Sequence, residues 1–209
     1  MKNLGKVLIF ILLTIASAQT FAQRIGIQGG LNLSNMLIKD DAGTYSDEFK
    51  MNPGFNAGVT LEIGLGKLLS AEVGAIADTK GFKWALEGGT MKANLIFVDV
   101  PVLLRVGPQF GPIKVFAAAG PYFGVGITGK RISKPDGGSK TTEDIKWGNS
   151  ENEDLKRLDY GAKFGAGAEF ASFTFGAYYS LGLANLETVT DGGAKTSTRV
   201  LSLCVGYKF

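Results

Sequence analysis

Phe55-Asn56-Ala57-Gly58-Val59-Thr60-Leu61-Glu62-Ile63-Gly64 decides the fold class. Phe55, Ala57, Val59, Leu61 and Ile63 fall on one side of an extended chain, and Asn56, Gly58, Thr60, Glu62 and Gly64 on the other. Successive side chains of a strand point to opposite faces, so a period of two marks a strand whose faces meet different surroundings. The same pattern recurs on both sides of this stretch. Before it, residues 25–34 set Ile25, Ile27, Leu31 and Leu33 against Gln28, Asn32 and Ser34. After it, 69–80 set Leu69, Ala71, Val73, Ala75 and Ala77 against Ser70, Glu72, Asp78 and Lys80, with Ile76 out of phase. Residues 96–106 oppose Ile96, Val98, Val100, Val102 and Leu104 to Phe97, Asp99, Pro101, Leu103 and Arg105. Stretches 115–128, 160–170, 173–183 and 201–209 continue the alternation, which makes eight predicted strands.

One face of each strand is continuously apolar, and the other is small, polar or charged. Glycine, 30 of 209 residues, is concentrated on the second face. A soluble sandwich also alternates, but its water-facing side is rarely so rich in glycine. A barrel in lipid turns the apolar face outward and the polar face into a narrow lumen, where small residues sit opposite bulky ones. No stretch after residue 22 is apolar enough for a transmembrane helix, and a closed barrel is the other structure that satisfies its backbone in lipid. The connections fit that geometry. Short turns fall near Leu65-Gly66-Lys67, at 107–112 and at Ala171-Ser172, and longer polar segments at 36–52, 82–93, 129–157 and 187–196. Short turns on one side and long loops on the other predict periplasmic termini and four loops outside. The expectation is an all-β, eight-stranded antiparallel up-and-down transmembrane β-barrel over 23–209. The segment 129–157, which contains Asp136-Gly137-Gly138, reads as a solvated, mobile loop.

The first 22 residues read as a signal peptide. Lys2 and Lys6 precede the apolar run Val7-Leu8-Ile9-Phe10-Ile11-Leu12-Leu13, and Thr20-Phe21-Ala22 ends on small residues suited to cleavage before Gln23. The expected address is the cell outer membrane. Without Lys2 and Lys6, the excess of three basic side chains falls to one, which leaves no nucleic-acid footprint. Cys204 is the single cysteine, so no intrachain disulfide forms; its parity puts it on the inner face as a small filler. The chain has no histidine, the commonest general base and metal ligand, so an enzyme, a metal site or a bound cofactor is not expected.

At the far end, Leu201, Leu203, Val205, Tyr207 and Phe209 share a face. An alternating strand finishing on an aromatic resembles the assembly signal of outer-membrane barrels. Tyr207 and Phe209 are the residues expected to be read by the barrel-assembly machinery during biogenesis. The wider chain resembles a family as well. Gly30-Leu31-Asn32-Leu33-Ser34, Gly54-Phe55-Asn56-Ala57-Gly58 and Val98-Asp99-Val100-Pro101-Val102-Leu103-Leu104 are followed by Ala119-Gly120-Pro121-Tyr122, Asp159-Tyr160-Gly161 and Tyr179-Ser180-Leu181-Gly182-Leu183. In this order they resemble the PorT-like outer-membrane β-barrel proteins of Gram-negative bacteria. The resemblance implies an eight-stranded barrel in the outer membrane and little about activity. One member of that family is linked to protein secretion, but no motif here is tied to that role.

Three residue groups are weighed further. Gly124-Val125-Gly126-Ile127-Thr128-Gly129 spells G-x-G-x-x-G, but a polar segment follows it instead of a helix, so lumen-facing glycines are the reading. Pro101 and Pro121 lie within strands, where each removes a ladder hydrogen bond, and are read as bulge markers. Glu62, Glu72, Arg105, Lys114 and Glu169 all point inward near short turns. They form an expected structural lumen cluster, with Glu72 beside Arg105 and Lys114 beside Glu169, because buried charges persist only when paired. The expected function is structural or surface-interacting, through extracellular loops. The alternative is an accessory component of protein secretion or envelope assembly, and a lipid- or peptide-modifying barrel enzyme comes third. Outer-membrane lipids are the expected surroundings, and an envelope or extracellular protein partner stays open.

Overall fold

The computed structural model describes residues 23–209 apart from 40, 42, 44–48, 87, 151 and 190–192. The expected signal segment, residues 1–22, lies outside the described residues. In chain order the strands are β1 (Gln23–Lys39), β2 (Phe49–Lys50), β3 (Asn52–Gly64), β4 (Leu69–Leu86), β5 (Gly89–Val106), β6 (Gln109–Phe110), β7 (Ile113–Pro135), β8 (Thr141–Asp144), β9 (Leu158–Phe170), β10 (Phe173–Gly182) and β11 (Lys195–Lys208). Eight of them are long. Each of the eight pairs antiparallel with the next in the chain. The ring closes where β1 meets β11, from Gly26 opposite Lys208 to Lys39 opposite Lys195. This is an all-β, up-and-down, eight-stranded antiparallel barrel. Closure leaves none of the eight long strands at a sheet edge, the condition for a sheet to exist in lipid, and the short β2, β6 and β8 each pair on one side only.

The two faces separate as the alternation requires, and in the sense of a lipid-facing barrel. Ile25, Leu31, Phe55 and Val59 are more than half exposed, whereas Asn32, Ser34 and Asn52 are fully buried. Ile76, out of phase in the sequence, points into the lumen and is buried. The short turns lie where expected. That at Ala171-Ser172 is the tightest, and Ala171 adopts a φ of 52°, a conformation that glycine takes at lower cost.

Three details differ from the sequence reading. Segment 82–93 is not a loop: β4 and β5 continue upward as a paired hairpin to Leu86 opposite Gly89. Segment 129–157 is not simply a solvated loop. β7 runs on to Pro135, β8 folds back on it from Lys130 opposite Asp144 to Ser133 opposite Thr141, and Ile145 beyond it is buried. Neither proline shifts the register. Pro121 stays in step opposite Ala162, and the β5–β7 register is the same at Pro101–Tyr122 as at Leu104–Ala119. The register shift lies at Ile96/Phe97, where Ile96 faces Thr128 but Phe97 faces Gly126, so Ile127 is the extra residue. A bulge reverses which residues of its strand face inward. Gly129, outward by simple parity, is therefore turned into the lumen against Leu95 and Ile145.

Candidate functional site

The lumen gathers buried charged, polar and aromatic side chains, and they fill it in layers. The first layer lies at the short-turn end. Arg105 stands at its centre, 1% exposed, with Nη1 2.7 Å from Glu62 and 2.8 Å from Glu72, and Nη2 2.6 Å from Glu169. Its guanidinium lies over the Phe116 ring at 3.8 Å. Planar, multidentate donors suit such a site better than a point charge. The structure brings together all five residues singled out from the sequence, but with one altered pairing. Lys114 is opposite Glu169 in the ladder, yet its Nζ reaches Glu62 at 3.4 Å.

Two members of this layer were missed. Lys208 Nζ donates to Glu62 and, at 2.6 Å, to Glu169. Arg24 donates to Glu62 at 3.0 Å and to Glu169 at 3.2 Å. The signal was available, because Lys208 falls between the outward Tyr207 and Phe209, and Arg24 directly precedes the outward Ile25, which sets its parity inward. A recess of about 450 Å³, lined in part by Arg24, Lys67, Gln109 and Lys114, opens from this layer at the short-turn end.

Above it lies an apolar band of Leu103, Phe116, Ala118, Tyr178 and Cys204. Cys204 is buried there, and its thiol faces Asn56 Oδ1 at 3.4 Å. A cavity of about 20 Å³ beside Glu72, Thr174, Tyr178 and Lys208 has room for roughly one water molecule.

The third layer was not anticipated as a unit. Lys80, 0% exposed, bridges Asp99 at 2.8 Å and Asp159 at 2.8 Å. Asp159 also accepts from Tyr122 at 3.1 Å and from Thr198 at 2.8 Å. The Lys80 ammonium lies 4.7 Å from the Phe97 ring centroid and 4.6 Å from that of Tyr122. Beside it, Asn56 donates to Asn32 at 2.7 Å, Asn32 donates to Asp78, and Lys163 lies 3.8 Å from Asp78. Gly124 makes room for this layer, since a Cβ there would meet Asp99 Oδ1 at 2.3 Å.

The fourth layer closes the long-loop end. Met36, Leu95, Phe97, Ile145 and Leu186 form a buried cluster, with Phe82, Trp147 and Leu155 packed on it. Trp147 meets Phe97 edge-on at 5.5 Å and lies over Gly126, where a Cβ would come within 2.6 Å of the indole. The glycines of the G-x-G-x-x-G spelling thus line the lumen and admit Asp99, Trp147 and Ile145. The segment carrying Trp147 is clamped by Asp154, which ties it to itself and to β7. Asp154 accepts from the Lys146 backbone N–H at 2.8 Å and from Arg131 at 3.1 Å. These two donors, the backbone N–H first, hold its carboxyl below the usual aspartate range.

Tyr207 and Phe209 lie on the outer surface at the short-turn end. The Tyr207 ring is 5.4 Å from Phe173 and 5.2 Å from Phe209, in edge-on contacts typical of aromatic pairs. Such a group suits the aromatic girdle at a membrane boundary.

The family model of the outer membrane protein beta-barrel domain matches residues 18–187. The chain belongs to this family. As an outer membrane beta-barrel domain protein it resides in the outer membrane. Among solved structures it is similar to OprG from Pseudomonas aeruginosa, at 15% identity and TM-score 0.47 over 90% of this chain and 97% of that one. It is also similar to Ail, the attachment invasion locus protein of Yersinia pestis, solved with the heparin analogue sucrose octasulfate: 16% identity, TM-score 0.43, 90% of this chain and 99% of that one. Neisserial surface protein A gives 13% identity and TM-score 0.42 over 88% and 97%. No curated protein matches the chain.

Proposed function

We propose that this outer-membrane barrel, of the PorT-like kind, is closed to solute traffic and works through its long-loop end in a structural or surface-interaction role. One observation carries the reading: four successive layers of side chains, from Arg105 up to Trp147, occupy the lumen. Eight strands enclose an interior just wide enough for side chains, so such layers act as a plug and not as the lining of a channel. Glu62, Glu72, Arg105, Lys114 and Glu169 are the structural part of that plug. No catalytic role is proposed for these carboxylates, since each is held by at least one cation. Residues 1–22 are read as a signal peptide, and the mature protein is expected to begin at Gln23 by N-terminal sequencing.

Purified protein in planar bilayers should show no large, steady conductance. A stable porin-sized current, unaltered in Arg105→Ala or Glu72→Ala, would overturn both the plug and the function built on it. The second reading, an accessory of secretion or envelope assembly, draws on the polar recess at the short-turn end, which faces the periplasm when short turns do. Cross-linking from intact envelopes should then trap a periplasmic partner through Arg24 or Lys67.

A further inference from the structure

The outward face of four strands changes character above the apolar band. Residues directly opposite in an antiparallel pair share a face. Lys50 of β2 is opposite Lys83 of β4, and Lys83 is opposite Lys92 of β5. On β7, Lys130 and Lys134 stand opposite Asn94 and Thr90, the positions two residues either side of Lys92. Strand β5 shows which face this is, because Ala93, Leu95 and Phe97 are buried in the lumen while Val98 is exposed. All five lysines therefore point away from the lumen. The bulge at Ile127 makes this so on β7. Without it Lys130 and Lys134 would point inward; with it, Arg131 points inward and bridges Asp154 instead.

Like charges placed directly opposite weaken a sheet, and here three lysines form one row across β2, β4 and β5. Among the described residues none of the five makes an ion pair. On these strands and the adjoining β8, the one carboxylate described on this face is Asp144, opposite Lys130. The height is informative too. From Val106 to Ile96 the outward positions of β5 are apolar, about 33 Å of strand, or about 25 Å of bilayer at a tilt near 40°. Lys130 and Lys92 then stand about 5–10 Å beyond the hydrocarbon, in the headgroup zone. Directly below them is an apolar recess of about 660 Å³ on the outer wall, lined by Val98, Val100, Phe123, Val125 and Ile127.

We propose that this face binds an outer-leaflet lipid carrying at least two phosphates, with its phosphates on Lys83, Lys92 and Lys130 and an acyl chain in the recess. The apolar recess under the lysines selects a lipid over a soluble polyanion, because it offers a water-borne sugar or nucleic acid nothing to bind. The assignment rests on the outward orientation of the long-loop end. That orientation is read separately by labelling Lys134→Cys in whole cells with an impermeant maleimide.

The test reconstitutes the barrel in phosphatidylcholine vesicles doped with labelled diphosphoryl lipid A or the same lipid dephosphorylated, and measures lipid retained per barrel after extraction. The wild type should retain the diphosphoryl form at least tenfold more strongly. The triple variant Lys83→Gln, Lys92→Gln, Lys130→Gln should lose that preference while still migrating as a folded barrel in unheated gels. Lys67→Gln, at the opposite end, should retain it. Equal retention of both lipids, or an unaffected triple variant, would overturn the proposal. Displacement by millimolar inorganic phosphate would show that phosphate alone is the ligand. Binding of a sulfated polysaccharide that the triple variant loses, with lipid retention unchanged, would reassign the face to a soluble polyanion. Either result also overturns the proposal.

Discussion

The two charged layers of the lumen solve one problem in different ways. At the short-turn end, Glu62, Glu72 and Glu169 are shared among Arg24, Arg105, Lys114 and Lys208, so each carboxylate has more than one cation within 4 Å. Near the long-loop end, Lys80 alone bridges Asp99 and Asp159, with neutral donors from Tyr122 and Thr198. The first layer is redundant and borders a recess open to water; the second is dry and has a single point of failure. A buried charge that loses its partner keeps its full desolvation cost. The contrast therefore predicts that the number of alternative partners, more than the number of charges, sets how fragile such a plug is.

The sharpest way to break the comparison is Lys80→Met. It leaves Asp99 and Asp159 without their cation and should cost about 3–5 kcal/mol. Arg105→Met should cost less, because Lys208 and Arg24 still reach Glu62 and Glu169. Urea unfolding in vesicles gives both values, and an Arg105 loss equal to or larger than the Lys80 loss would sink the redundancy argument.

Next in size is Trp147→Ala, which uncovers the dry layer from above. Trp147 is only part-buried, so a loss of about 2 kcal/mol is expected, below that of a fully buried tryptophan. Conductance should stay absent, because both charged layers remain. A channel opened by this single change would mean that the cap, and not the charges, closes the barrel.

Phe209→Ala should shift stability by less than about 0.5 kcal/mol, since its side chain is among the most exposed on the outer wall. As a proposed part of the assembly signal, it should nonetheless lower the amount of inserted barrel in cells. Insertion at wild-type levels, measured by heat-modifiable migration, would leave Tyr207 and Phe209 as girdle residues only.

The smallest effect concerns the clamp on the cap. Asp154 has a depressed carboxyl pKa, so its contribution is complete above the ordinary aspartate value of 3.8 and is lost as pH falls through the lower folded value. In a Trp84→Phe background, Trp147 emission should be constant from neutral pH down to about 4 and change only in stronger acid. Asp154→Asn should remove that acid transition, and a transition at pH 5–6 would point to another group.

Local alternation determined much of this protein. A period of two with one apolar face names strands, their number and the face that meets lipid, because strand geometry ties parity to direction residue by residue. The same parity made Glu62, Glu72, Arg105, Lys114 and Glu169 inward groups, and it held Arg24 and Lys208 for a reader willing to extend it to the strand ends. Tertiary structure decided the rest. Which inward groups touch depends on the stagger of strands around the ring, so Lys80 meets Asp159, 79 residues away, and Lys114 passes over its ladder partner to reach Glu62. One inserted residue, Ile127, reverses every side chain beyond it, turning Gly129 in and Lys130 and Lys134 out, and it carries no composition of its own. Ile145, Trp147 and Leu186 close the barrel from segments outside the eight barrel strands, where no periodicity exists to read. Parity is a property of one strand, whereas stagger, bulges and loop closure are properties of the ring, and these arise only once all eight strands have found their neighbours.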